Sequence, residues 1–108
     1  MKNFIQPGNT ITVVSPAIIS SGDGVLIQNL FGVAAYDAIK KDPLELVLEG
    51  VFFLPKAGIP IAQGARVYWD NNLAHVTTVA QGNTLIGVAT ADTLLAETSV
   101  EVRLNGAF

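Results

Sequence analysis

The 108-residue sequence predicts an all-β fold: a small single-domain β-barrel or sandwich of short antiparallel strands with an extended N-terminal arm. Three observations predict it. Apolar and polar side chains alternate with a period of two in several windows, which is how a strand sends one set of residues to a core and the other to water. Clusters of Gly, Asn, Asp, Ser and Pro interrupt these windows at intervals of roughly 8 to 12 residues, the rhythm of a small barrel or sandwich. Windows with helical spacing are short and broken.

Taken in chain order, residues 1–9 read as the arm. There Lys2, Asn3, Gln6, Pro7, Gly8 and Asn9 surround just two apolar residues, Phe4 and Ile5, and chain ends become ordered only when something ties them down. Two readings stay open. In one, Phe4, Ile5, Gln6 and Pro7 dock into a neighbouring protein or extend its sheet; in the other, the segment is an edge strand of its own domain.

Residues 10–108 are assigned to a single β domain. Strands are expected at 10–14, 25–28, 32–36, 44–49, 51–54, 65–69, 74–79, 84–90 and 99–105. The pattern is clearest at 99–105, where Val100, Val102 and Leu104 alternate with Glu101, Arg103 and Asn105, and at 44–49, where Leu44, Leu46 and Leu48 alternate with Glu45, Val47 and Glu49. The intervening segments 20–24, 55–60, 70–72 and 81–83 are rich in residues that tolerate the positive φ of tight turns. Residues 37–41 are too short for a helix before Pro43, whose ring disfavours helical geometry in the residue ahead of it. Residues 91–99 are either a loop or one helical turn capped by Asp92, with Leu94 and Leu95 as an apolar knob for self-association.

Composition narrows the function. Hydrophobic residues make up 50% of the chain and charged residues 14%, against roughly 25% charged in an ordinary soluble domain. A small domain cannot hide so much apolar surface alone, so part of it is expected to meet copies of itself or a partner. The absence of cysteine removes thiolate catalysis, cysteine-bound zinc and iron–sulfur clusters. A net charge of −3, with Lys40 and Lys41 as the one adjacent pair of cations, gives no basic stripe for a phosphate backbone, so no nucleic-acid partner is expected. No signal-like or membrane-spanning apolar run occurs, and the chain is read as soluble and made in the cytoplasm.

The residues offer little chemistry, so no enzyme activity, cofactor, metal or small-molecule substrate is expected. The glycine cluster at 20–24 lacks the lysine of a phosphate loop, and Gln63, Gly64, Ala65 and Arg66 lack its second glycine and its hydroxyl. His75 is the sole histidine; a hairpin around Asp70, Asn71 and Asn72 puts Asp70 at the turn and His75 some way along the strand, short of the orienting contact a general base needs. Glu45 and Glu49 sit four residues apart on one strand, about 13 Å, beyond the spacing of glycosidase carboxylate pairs. Tyr68 and Trp69 must point to opposite faces of their strand. One ring belongs to the core, and the other suits a self-association contact, for which Trp69 is the candidate, or a sugar-binding platform with Asn71 and Asn72.

The order of segments is itself distinctive. FIQPG in the arm, the GDGV and LFGVA pair, ARVYWD, GNTLIGVA and the closing VRLNG together resemble, over nearly all of the chain, the cement or head decoration proteins of tailed-phage and prophage capsids. These strings are strands and turns, so the resemblance speaks to fold and role and marks no active site. It implies a structural virion component on the capsid surface, bound to the major capsid protein, commonly as a homotrimer and synthesised in the host bacterial cytoplasm. A non-catalytic module recognising a host-surface glycan or another virion protein is the alternative.

Overall fold

The computed structural model describes residues 10–105, which form nine strands and no helix: β1 (Thr10–Val14), β2 (Gly24–Ile27), β3 (Leu30–Ala34), β4 (Pro43–Val47), β5 (Glu49–Pro55), β6 (Arg66–Asp70), β7 (His75–Thr77), β8 (Thr84–Ala89) and β9 (Ser99–Asn105). Every strand expected from the alternation is present, two of them, β1 and β9, with the expected bounds. The strands form a four-stranded sheet, β1-β4-β3-β2, and a five-stranded sheet, β5-β9-β8-β6-β7. Each ladder within them is antiparallel.

Of the two architectures expected, the sandwich is the one formed. β4 passes into β5 through Leu48 alone, with Gly50 at φ 119° where the chain steps from the first sheet to the second. The second sheet curls until Lys56 meets Val76 in a parallel bridge and the Ala57 amide donates to the Val76 carbonyl at 2.7 Å. One bridge is not a ladder, so the barrel is not closed. Lys56 is only 7% exposed, and its ammonium donates to the carbonyls of Ala57 at 3.0 Å and Ile59 at 2.6 Å, which satisfies the charge where burial would otherwise be costly.

Period-two alternation distributes the core. Along β3, Phe31 and Val33 face the second sheet and join Leu54, Val67, Trp69, Val76, Ile86, Val100, Val102 and Leu104 in a cluster between the sheets. Ala34, with Val25, Leu44 and Leu46 on the neighbouring strands, belongs to a second cluster on the far face of the first sheet. Trp69 is the centre of the sheet-to-sheet contact: its ring lies 5.0 Å from that of Phe31 and so close over Gly24 that a Cβ there would come within 2.8 Å of it. Gly87 is fixed by a different crowding, since a Cβ would overlap the Arg103 carbonyl oxygen on β9. The β6–β8 register shifts beside it, between Val67 and Tyr68, and the extra residue, Ile86, is buried as in a β-bulge.

One strand end is corrected and two local readings are decided. Gln28 is not part of a strand; it takes φ 56° in the two-residue connection between Ile27 and Leu30. Of the two readings of residues 91–99, the loop is the one formed. Asp92 accepts the Gln63 amide at 2.7 Å across the fold, and it is Glu97 that closes the turn, accepting the Leu94 amide through its carboxylate at 3.0 Å while its own amide donates to the Leu94 carbonyl at 3.1 Å. No helix forms over 37–41, and Pro43 opens β4.

Candidate docking surface

β5 is an edge strand, and its alternation leaves an apolar margin. Leu54 pairs with Val100 on β9, and the Lys56 amide donates to the Thr98 carbonyl at 3.1 Å. Even-numbered residues of β5 therefore turn their backbone groups toward β9, and antiparallel geometry turns those of Glu49, Val51 and Phe53 to the open side. The side chains of Val51 and Phe53 lie on the outer face, 52% and 71% exposed. They stand opposite Arg103 and Glu101 of β9. Even the inward-facing Phe52 is only half-buried.

Two further apolar groups lie in the connections. Ile19 and Ala38 form an antiparallel bridge, exchanging bonds of 2.8 and 2.9 Å, and turn inward onto the second cluster. Their neighbours Ile18, 81% exposed, and Ile39 point outward. A comparable bridge joins Ile61 to Thr93, and just beyond it the Leu94–Glu97 turn holds Leu94 and Leu95 in solvent. A shallow depression between Pro60, Ala62, Asp92 and Leu94 adjoins that turn.

The structure separates the sequence-based site residues. Phe4, Ile5, Gln6 and Pro7 lie outside the described residues. Leu94 and Leu95 are exposed, but Trp69 is 2% exposed and is corrected from a self-association residue to a core residue; its indole N–H donates to Asn71 Oδ1 at 3.2 Å. Tyr68 is the outward ring of the pair, partly buried on the outer face of β6. His75 does not sit away from Asp70 as expected but directly opposite it across β6 and β7. The Asp70 carboxylate is committed to the amides of Asn72 at 3.0 Å and Leu73 at 3.2 Å, an Asx turn that shapes the hairpin. Glu45 accepts the Thr12 hydroxyl at 2.7 Å, while Glu49 opens β5. Among the described residues no three His, Cys, Asp or Glu gather as metal ligands would. No helix there is long and apolar enough to cross a membrane.

A family model described as phage cement protein matches residues 5–104. The chain belongs to the phage cement protein family. No curated protein and no solved structure matches it significantly. A cement protein is a structural component associated with the phage capsid, a non-catalytic role that fits a scaffold whose exposed groups include large apolar side chains and strand edges. Sequence reasoning missed Val51, Phe53, Ile18 and Ile39 as surface residues of this cement protein. A signal was present at β5, because the outward set Glu49, Val51, Phe53 and Pro55 contains a single charge. At Ile18 and Ile39 there was none, since only the Ile19–Ala38 bridge decides which neighbour points out.

Proposed function

We propose that this cement protein binds the outer surface of an assembled phage or prophage head, with the major capsid protein as its partner, and stabilises the shell. The observation that carries the reading is the family match from residue 5 to residue 104. The exposed apolar side chains at three separate places support it, because a shell-bound protein covers such groups with neighbours. Residues 1–9 act as the docking arm, with Phe4, Ile5, Gln6 and Pro7 entering the shell, and residues 10–108 act as the domain it tethers. Copies made in the host cytoplasm gather as trimers through Leu94 and Leu95, and three linked copies on three sites hold far more tightly than one. The glycan-binding alternative has lost its best platform, since the Trp69 ring is inside the fold.

The test is cosedimentation of purified protein with expanded empty heads. Binding should saturate and raise the temperature at which the heads break. Deleting residues 1–9 should leave β1 to β9 folded and weaken head binding; unchanged binding would remove the arm from the proposal, and no binding by the intact protein would remove the proposal itself.

A further inference from the structure

β5 raises a problem that the cement role does not by itself solve. Exposed strand edges invite pairing, and proteins blunt them with charge, Pro, bulges or cover. β5 runs Glu49–Pro55 with nothing charged between Gly50 and Leu54, no bulge in its seven-residue register with β9, and Pro only at its last position. Glu49, Gly50, Val51, Phe53 and Pro55 are all exposed, and Phe52 is half-open on the inner face. The margin is open from Glu49 to Phe53, and beyond Pro55 the Lys56–Val76 bridge covers it.

We infer that β5 is a self-pairing edge: two copies of this chain join β5 to β5 antiparallel across a twofold axis at Phe52. The occupant is a second copy because the strand is complementary to itself. The register centred on Phe52, running from Gly50 to Leu54, places Val51 against the second copy's Phe53, and Phe53 against its Val51. These are the residues whose N–H and C=O groups face the open side, so both pairs can exchange two hydrogen bonds. Pro55, beside the Lys56–Val76 bridge to β7, stays outside the pairing, and the ladder between copies ends there.

The charges agree with this register. On the outer face each cross-strand row reads Arg103, Val51, the second copy's Phe53, the second copy's Glu101. Opposite charges end every row, an apolar pair fills its middle, and no like charges meet. A symmetric contact of this kind is isologous and closes at two copies. A strand edge alone buries less than the roughly 1,000 Å² of a stable interface, so the dimer is reversible and its population depends on concentration. The inference concerns the free protein and does not need the shell reading.

The absence of native cysteine gives a direct test. Phe52 lies on the axis as a non-hydrogen-bonded pair, with Cα atoms about 4.5 Å apart, inside the range a disulfide spans. Under mild oxidation Phe52→Cys should crosslink to itself, whereas Lys40→Cys, exposed on the loop cover of the first sheet, should not. Because Phe52 also touches the core, a second variant leaves the core alone: Val51→Lys with Phe53→Lys sets like charges opposite one another and should weaken the dimer about tenfold or more, read by sedimentation equilibrium. Hydrogen exchange supplies the residue-level check. In the dimer the amides of Val51 and Phe53 should slow together with those of Phe52 and Leu54; in the double variant only residues 52 and 54 should stay slow. A wild-type chain that is monomeric at all concentrations, or an assembly whose mass and exchange are untouched by the two lysines, overturns the inference. So does a double variant that loses head binding while the wild type shows no self-association, which would make β5 a contact for the shell.

Discussion

The two hydrophobic clusters are sealed in different ways. The cluster between the sheets is walled on both sides by strands, and Val67, Val76, Val100 and Val102 are fully buried there. The cluster on the far face of the first sheet has strands on one side only; its cover is made of residues 15–23 and 35–42, which have no regular structure beyond the Ile19–Ala38 bridge. Those segments are held by single bonds. Ser15 and Asp42 join through the Ser15 amide at 2.8 Å, the Lys41 amide returns to the Ser15 carbonyl at 2.8 Å, and the Gly22 amide reaches Ala34 at 2.8 Å. Two carboxylates complete the cover: Asp37 accepts the Ser21 amide at 2.8 Å and Asp23 the Ser20 amide at 2.9 Å. The difference teaches that the smaller of the two clusters is closed by hydrogen-bonded loops, and local opening belongs where burial is thin and backbone bonds are exposed.

The strongest way to break the comparison is to remove the group that joins the sheets. Trp69→Ala takes a whole ring from between Phe31 and Gly24 and leaves a void that rigid strands cannot fill. It should cost about 3–5 kcal/mol, a large share of the stability of a domain this size, measured by denaturant unfolding. The effect should be global, with both sheets lost in one transition. A loss below about 1 kcal/mol would mean that the sheets do not depend on this contact.

A middle-sized change sharpens the contrast from the other side. Asp37→Ala and Asp23→Ala each remove a charge-assisted bond at the loop cover, and each should cost about 1 kcal/mol. The change should be local: amides of Ile19 and Ala38 should exchange faster in either variant while those of Val100 and Val102 keep their rates. Equal acceleration in both clusters would show that the loops and the strand-walled core open as one unit.

The same division explains what was legible beforehand. Strands read from the sequence because alternation is a local signal: Val100, Val102 and Leu104 against Glu101 and Arg103 need no knowledge of the fold. Strand ends slipped where a turn used a residue outside the usual set, as at Gln28, which takes positive φ without being Gly, Asn or Asp. The choice between loop and helical turn at 91–99 stayed open in the sequence because Asp92 caps across the fold, at the Gln63 amide, a partner 29 residues away that local capping rules do not see. Trp69 was misplaced for a related reason. Its strand showed that one of the two rings faces inward, but the bare patch at Gly24 that receives the indole comes from another sheet. Surface residues were the least legible of all, since the outward direction of Ile18 and Ile39 follows from a bridge between two loops.

The smallest expected change in stability is at the Leu94–Glu97 turn, and it bears on the loops as much as on assembly. Leu94 and Leu95 are exposed, and the bonds that hold the turn run from the Leu94 backbone to Glu97; neither leucine side chain is needed for them. Replacing both, Leu94→Asp with Leu95→Asp, should therefore leave unfolding within about 0.5 kcal/mol of the parent. If these two side chains join the copies of the proposed trimer, the same double variant should lose the threefold mass in sedimentation while keeping any β5-mediated pair. A double variant that still sediments as a trimer would move the threefold contact elsewhere. One that unfolds early would show that the turn, exposed as it is, closes the core beneath the Ile61–Thr93 bridge.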